Sequence, residues 1–399
     1  MAFNEEKFVK KQIEELRRVL KDEKALIAVS GGVDSTTCAV LAHKALGDNL
    51  VCVTIDTGFM RTGEPQWVAA LLSKPPLNLP MRIYDGVERF YSALRGLEDA
   101  EEKRKAFRET FYTILGEIAR EESCRFLIQG TIAPDWIETR GGIKSQHNIL
   151  TQIGINPVEK YGFQVVEPLM YLYKDQVRKV ARYLQIPQVL SERQPFPGPG
   201  LLVRVVGRFN EEKIRVLKNA TQLTEGRLAQ FNTQQYFAAI LDNVNINESM
   251  RDKIDELKRS AEEALQTAGL NVSVQVLKNK ATGVKGDVRA YGHIAVLEVF
   301  KNGEVYIPPV KELVKLHVAL VAKNPDFTRI LYLVSDKRHG DYLIAIRAIT
   351  TRDFMTASVA DIQPNVLAEL GSNIMRENVN VAAVYYDITQ KPPATIEFE

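Results

Sequence analysis

Apolar positions recur at helical spacing in the first stretch of the chain. Between residues 4 and 21, Phe8, Ile13, Leu16, Val19 and Leu20 stand among charges, which predicts an amphipathic helix. The pattern then changes to short apolar runs. Ala25 to Val29 stops at Ser-Gly-Gly, and Leu50 to Ile55 is β-branched and apolar, so both predict buried strands. Thr36 to Leu46, between them, is apolar and helix-forming. Helix, strand, glycine turn, helix, strand is how a parallel α/β sheet begins. Residues 86–122 read as helices, Phe126-Leu127-Ile128 as a further short strand, and 174–184 as an amphipathic helix. Gln194 to Gly200 holds three prolines and two glycines. It cannot be helix or central strand, and is either a domain boundary or a shaped binding loop.

The second half has a different rhythm. Residues 210–267 are polar and charged and predict mostly helix. After them a strand-helix-strand pattern occurs twice. The first copy is Tyr291 to Phe300, Lys311 to Ala322 and Arg329 to Val334; the second is Tyr342 to Thr350, Asn365 to Glu377 and Val381 to Ile388. The copies follow each other by about fifty residues and predict two similar β-α-β units in a second α/β layer.

A length of 399 residues exceeds one ordinary domain. The expected division is 1–207 and 208–399, with a further boundary between 337 and 338 as a candidate. An apolar share of 45% and a charged share of 26% are those of a soluble globular chain. The net charge of +2, without a concentrated basic face, argues against nucleic acid as the partner. No apolar run nears the ~18 residues of a membrane span, and the N-terminus has no secretory apolar core. Cys38, Cys52 and Cys124 are single and widely spaced, against a disulfide framework or structural zinc. A cytoplasmic location is expected.

The candidate chemistry begins at Ser30-Gly31-Gly32-Val33-Asp34-Ser35, which joins a strand to a helix. Glycines let the backbone turn tightly around an anion, and the helix start presents free N–H groups and the positive dipole end. Ser30 and Ser35 add hydroxyl donors. Neither Gly-Lys-Ser/Thr nor Gly-x-Gly-x-x-Gly is present, so this is neither a Walker A loop nor a dinucleotide fingerprint. Asp34 next to phosphate is unfavourable unless a cation lies between them, which makes it a candidate Mg²⁺ ligand.

The hexamer after a strand resembles the ATP pyrophosphatases of the adenine nucleotide α-hydrolase-like fold. Further segments narrow the resemblance: Thr57-Gly58-Phe59-Met60-Arg61, Gly130-Thr131-Ile132-Ala133-Pro134-Asp135, Pro195-Phe196-Pro197-Gly198-Pro199-Gly200-Leu201, Asp353-Phe354-Met355-Thr356-Ala357, and the ending Lys391-Pro392-Pro393-Ala394-Thr395-Ile396-Glu397-Phe398-Glu399. Together they resemble GMP synthase from about residue 25 to the last residue. The resemblance implies a parallel-sheet ATP pyrophosphatase domain and a C-terminal α+β dimerisation region. It implies a ligase that adenylates xanthosine monophosphate (XMP) with ATP and Mg²⁺, after which ammonia displaces AMP to give GMP. Residue by residue, it implies that Ser30, Gly31, Gly32, Val33, Asp34 and Ser35 hold the ATP phosphates. Gly130 and Thr131 line the nucleotide side, Asp135 stands near Mg²⁺, and Lys144 meets pyrophosphate or adenylate charge. Arg104, Asp287, Lys391 and Glu397 would contact XMP. It also implies a homodimer.

Several positions depart from the family pattern. Gln146 and Gln194 stand where the family often has histidine, and Val288 follows Asp287 where Gly or Cys is usual. No glutamine amidotransferase precedes the ATP loop, so the expected chain is a synthetase subunit served by free ammonia or a separate amidotransferase. Two rival readings are an RNA-thiolating enzyme on the same ATP fold, which would need sulfur-handling cysteines, and a non-catalytic nucleotide-binding subunit.

Overall fold

The computed structural model describes residues 3–133, 135, 155–266, 268–285, 288–337, 339–351 and 355–399. The chain divides into two compact units. One comprises Met1–Leu94 with Arg104–Gly200, the other Arg95–Lys103 with Leu201–Glu399. The division falls seven residues before the expected 207/208, and residues 95–103, expected in the first part, join the second.

The first unit is built on a five-stranded parallel sheet in the order β3-β2-β1-β4-β5. Its strands are β1 (Ala25–Ala28), β2 (Leu50–Asp56), β3 (Met81–Asp85), β4 (Phe126–Ile128) and β5 (Gln164–Val166). Its longer helices among the described residues are α1 (Glu5–Leu20), α2 (Val33–Leu46), α3 (Glu64–Leu72), α4 (Val87–Leu94), α5 (Ala100–Glu121, begun in the second unit) and α6 (Lys174–Tyr183). Asn4 caps α1 by accepting from the Lys7 amide at 2.7 Å, and the helix buries Val9, Leu16 and Leu20. The buried strands β1 and β2 have apolar residues facing both ways, as central parallel strands require. β1 pairs with β2 from Ala25↔Leu50 and with β4 from Ala25↔Phe126. All five strands therefore point their carboxyl ends at one edge.

Three elements here carried no readable pattern. β3 (MRIYD) is a half-exposed edge strand interrupted by Arg82, β5 has only three residues, and α3 is short. Each is held by a neighbour rather than by its own periodicity.

The second unit is one mixed sheet. Its long strands are β6 (Gln235–Asp242), β7 (Leu270–Lys285), β8 (Val288–Lys301), β10 (Phe327–Asp336), β11 (Tyr342–Thr350) and β13 (Val381–Asp387). β9 (Glu304–Val305) and β12 (Ser358–Val359) are short additions. Helices α7 (Glu211–Leu228), α8 (Arg251–Leu265), α9 (Val310–Lys323) and α10 (Pro364–Glu377) complete it. β8 and β10 run parallel around α9, and β11 and β13 run parallel around α10, so both expected β-α-β units are present. They meet in antiparallel pairing, Leu331↔Asp387 and Tyr332↔Tyr386. That pairing joins both units in a single sheet across the candidate boundary at 337/338. Helices α7 and α8 fill most of 210–267, as expected, and β6 is the one strand of that stretch the pattern did not predict. This buried strand lies antiparallel along β11, and its apolar run Phe237 to Leu241 is short enough to vanish between two polar helices.

Candidate functional site

The loop Ser30 to Ser35 lies at the carboxyl edge of the first sheet, between β1 and α2. The Val29 amide still bonds to Val53 O at 2.8 Å, so the strand holds its direction up to the turn. Gly31 takes φ +78°, and a Cβ there would come within 2.5 Å of Val68 Cγ2 on α3. The left-handed backbone and the close approach both demand glycine. The Ser30 and Ser35 hydroxyls lie 3.0 Å apart, and Ser35 Oγ donates to Gly32 O at 3.2 Å. Gly32 occupies the cap position of α2 without a side-chain cap, so the first helical N–H groups are left to an anion.

Gly130, just past β4, supports this loop from behind. Its Cβ would lie 2.9 Å from Asp34 C and Ser35 N, a gap that admits only glycine. Thr131, next in the chain, donates its hydroxyl to Glu167 Oε1 at 2.6 Å. Burial pushes the Glu167 carboxyl up from its ordinary range, and the nearby Asp135 adds to that, against the Thr131 bond. Asp135 Oδ2 accepts from the Ile132 amide at 3.0 Å, closing a turn, and is buried.

Asp34 holds the centre. Lys174, the first residue of α6, reaches its Oδ2 at 2.5 Å, while Asp34 Oδ1 is buried with no hydrogen-bond partner. A buried carboxylate oxygen is costly to leave unpaired. Its hardness and single-oxygen offer fit Mg²⁺, which takes one or two carboxylates and completes its shell with water and phosphate oxygens. Among the described residues no cluster of three or more acidic, histidine or cysteine side chains could hold a metal without such help. Asp34, with Asp135 beyond the neighbouring strand, are thus residues that could carry Mg²⁺ brought in by a nucleotide.

Lys174 and Glu167 were missed by sequence reasoning. Lys174 left one faint signal, because a cation in the first turn of a helix opposes the helix dipole and implies another purpose. Glu167 left none; only the β4–β5 pairing brings it to Thr131.

The proline segment is a shaped loop, and it also ends the first unit at Gly200. Arg61 lies with its guanidinium 4.1 Å over the Phe196 ring, and Arg193 stands 5.3 Å over Trp67 while pairing with Glu64 at 2.5 Å.

The remaining expected residues are placed as follows. Arg104 is buried on α5 and is no solvated helix charge. Lys391 and Glu397 belong to the second unit. The Lys391 backbone bridges to Ala357, and the Glu397 carboxylate is clasped by Arg204 at 2.8 and 2.9 Å. Lys144, Gln146 and Asp287 lie outside the described residues. All three cysteines are free and buried. Burial raises the Cys38 thiol well above its usual range, with Glu167 and Asp34 adding to it, and pushes Cys52 up to about 12. Burial also raises Cys124, to about 11, so at all three positions it disfavours the reactive thiolate.

Comparison with known proteins agrees with this geometry. The PP-loop domain family matches residues 5–189, and the GMP synthase C terminal domain family matches residues 327–398. One of the subunits of the glutamine-hydrolyzing GMP synthase of Sulfurisphaera tokodaii is 44% identical over 401 aligned positions, covering 100% of both chains. Its namesake from Saccharolobus solfataricus is 45% identical, again over 100% of both, and that from Methanopyrus kandleri is 40% identical over the same shares.

Proposed function

We propose that this chain, which belongs to a family of glutamine-hydrolyzing GMP synthase subunits, is a ligase that makes GMP from XMP, ATP and ammonia, releasing AMP and pyrophosphate. The carrying observation is the glycine-lined helix start at Ser30 to Ser35, with Asp34 Oδ1 buried and unpartnered beside it. The C2 oxygen of XMP attacks the α-phosphorus of ATP and pyrophosphate leaves. Ammonia then adds at C2, loses a proton, and AMP departs with the oxygen. An oxide on the purine ring is a poor leaving group and a phosphate monoester a good one, which is why ATP is spent first.

The chain's own groups have separate tasks. Amides at the start of α2 and the Ser30 and Ser35 hydroxyls meet the negative oxygens of the leaving pyrophosphate. Asp34 and Asp135 would hold Mg²⁺, which when bound neutralises pyrophosphate charge. Lys174 is held at Asp34 until phosphate arrives, and as a mobile ammonium it can follow the charge to pyrophosphate. Thr131 is fixed by Glu167 beside the same anion. Lys144 serves the pyrophosphate, and Arg104, Asp287, Lys391 and Glu397 serve XMP, in the same reading. Ammonia comes from a separate glutamine amidotransferase chain, and the working form is a homodimer in the cytoplasm.

Incubation of the purified chain with XMP, ATP, Mg²⁺ and ammonium tests this. GMP and AMP are expected in equal amounts. ADP in place of AMP would overturn the adenylation mechanism. Asp34→Asn should lower the rate roughly hundredfold or more, the scale of losing one aimed electrostatic group.

A further inference from the structure

The segment Lys391 to Glu399 holds the Glu397 side chain in one orientation. Its carboxylate offers both oxygens to Arg204, whose Nε donates to Oε2 at 2.8 Å and whose Nη2 donates to Oε1 at 2.9 Å. Gln235, the first residue of β6, donates its Nε2 to the same Oε1 at 3.3 Å. The Arg204 guanidinium lies 4.0 Å over the ring of Phe237, two residues further along β6, and its side chain is 1% exposed. A planar fork that is buried and stacked has few rotamers, and two parallel bonds fix the plane of the acid as well as its place.

This clasp is not what keeps the tail in place. Arg329 donates to Thr395 Oγ1 and to the Glu397 carbonyl, and Arg347 donates to the Thr395 carbonyl. Beyond Glu397, the Thr282 amide donates to Phe398 O at 2.8 Å and the Glu399 amide to Val203 O at 3.0 Å. The Glu399 carboxylate pairs with the buried Lys103 and accepts from the Gly207 amide. The backbone is therefore fastened on both sides of Glu397, and the Arg204 pair acts on the side chain. The pair is also lopsided. The Glu397 side chain is 18% exposed, so the acid meets solvent while the arginine does not. Among the described residues, Oε2 accepts only from Arg204 Nε, and a carboxylate oxygen has lone pairs for about two donors. A buried cation thus presents an oriented acceptor.

We propose that Arg204 is a positioning residue for the purine of XMP: it sets the Glu397 carboxylate so that this acceptor meets a ring N–H of the base. This rests on the synthetase reading above, in which Glu397 serves XMP. Xanthine carries an N–H beside C2, so a carboxylate with a fixed plane also fixes the direction of the C2 oxygen that attacks ATP. Arg204 touches no substrate and acts through Glu397.

The test uses the full chain. Affinities for XMP and for Mg·ATP are measured separately by calorimetry, alongside KM and kcat with ammonium in excess. The proteins are the parent, Arg204→Gln, Arg204→Lys, Glu397→Gln and the double variant Arg204→Gln/Glu397→Gln. Glu397→Gln is expected to weaken XMP about tenfold or more, and Arg204→Gln about fivefold or more, the scale of a hydrogen bond to a charged group. Mg·ATP should change less than about twofold in both, and so should XMP when Arg204→Gln is added to Glu397→Gln, because the acid it acts through is already gone. Arg204→Lys keeps the charge and one of the two bonds, and should fall between the parent and Arg204→Gln. If Arg204→Gln does not fold, the lysine variant decides in its place. A folded Arg204 variant or Glu397→Gln that keeps the parent affinity for XMP overturns the proposal. Losses at the two positions that simply add overturn it too, since Arg204 would then act without Glu397. Equal losses for XMP and Mg·ATP would leave Arg204 a structural residue only. A parent that binds both nucleotides yet makes no GMP would overturn the ligase reading, while the XMP affinities would still decide this one.

Discussion

At the scale of the residue, two carboxylates at the carboxyl edge of the first sheet have opposite needs. Asp34 is paired with Lys174 through one oxygen, and its other oxygen is buried with no hydrogen-bond partner. Glu167 is half-buried and bonded to one hydroxyl, and burial raises its carboxyl pKa above the ordinary range. A carboxyl whose folded pKa is raised stabilises the fold fully below its unfolded value, ordinarily near 4.5, and that contribution disappears as pH rises through the folded value. The raised pKa of Glu167 therefore works against the fold as pH rises above the ordinary carboxyl range. Glu167→Gln keeps an acceptor for Thr131 without the charge. The variant is expected to melt higher than the parent at pH 7, with the advantage vanishing at about pH 4. A constant difference across that pH series would show that the charge of Glu167 is not the cause. None of this was legible in the sequence, where Glu167 is one acid among many. Asp34 was legible because its two neighbouring glycines and serines declare what lies beside it.

At the scale of the element, the phosphate loop works because α2 starts where two neighbours leave room. Val68 of α3 occupies the space a side chain at Gly31 would take, and Gly130 beyond β4 touches the first turn of α2. Gly130→Ala would push that turn away from the strand ends. The expected costs are about 1–3 kcal/mol of stability, as for overpacking elsewhere, and a KM for ATP raised more than that for XMP. Urea unfolding and initial rates check the two parts, and an unchanged KM for ATP would mean that the turn can move without consequence. The SGGVDS hexamer announced this element openly, since few other uses combine a strand end, paired glycines and a helix start. The role of Gly130 was readable only as a resemblance. Its contact partner lies far away in sequence and becomes a neighbour only through the β1–β4 pairing.

At the scale of the whole molecule, the two β-α-β units of the second half are stitched at one buried point. Asp387 at the end of β13 accepts from Arg329 of β10 at 2.9 Å and from Arg347 of β11 at 2.7 Å, and all three side chains are fully buried. Burial works to raise the Asp387 pKa, but Arg347, Arg329 and the Thr389 hydrogen bonds together outweigh it and hold the group below its ordinary range. The same arginines reach the chain's last residues: Arg329 donates to Thr395 Oγ1 at 3.1 Å and Arg347 to Thr395 O at 3.1 Å. Asp387→Asn would leave two buried guanidiniums facing a neutral amide. Removing one partner of such a group costs about 3–5 kcal/mol, so the urea midpoint should fall sharply while m stays near the parent value. A shift below about 1 kcal/mol would mean that the arginines find other acceptors.

The sequence by itself determined the parallel sheet that opens the chain, the loop at its edge, the two β-α-β units and the resemblance carried by the proline segment and the tail. Those features are local: periodicity, a turn that only glycine can make, and runs of residues with few other uses. The tertiary structure alone decided which residues surround the loop. Lys174 reaches Asp34 across 140 positions, Thr131 meets Glu167 across 36, and Glu64 gathers Arg193 from beside the proline segment. Parallel strands joined by helices bring distant segments to one edge, and no local pattern records which side chains will meet there.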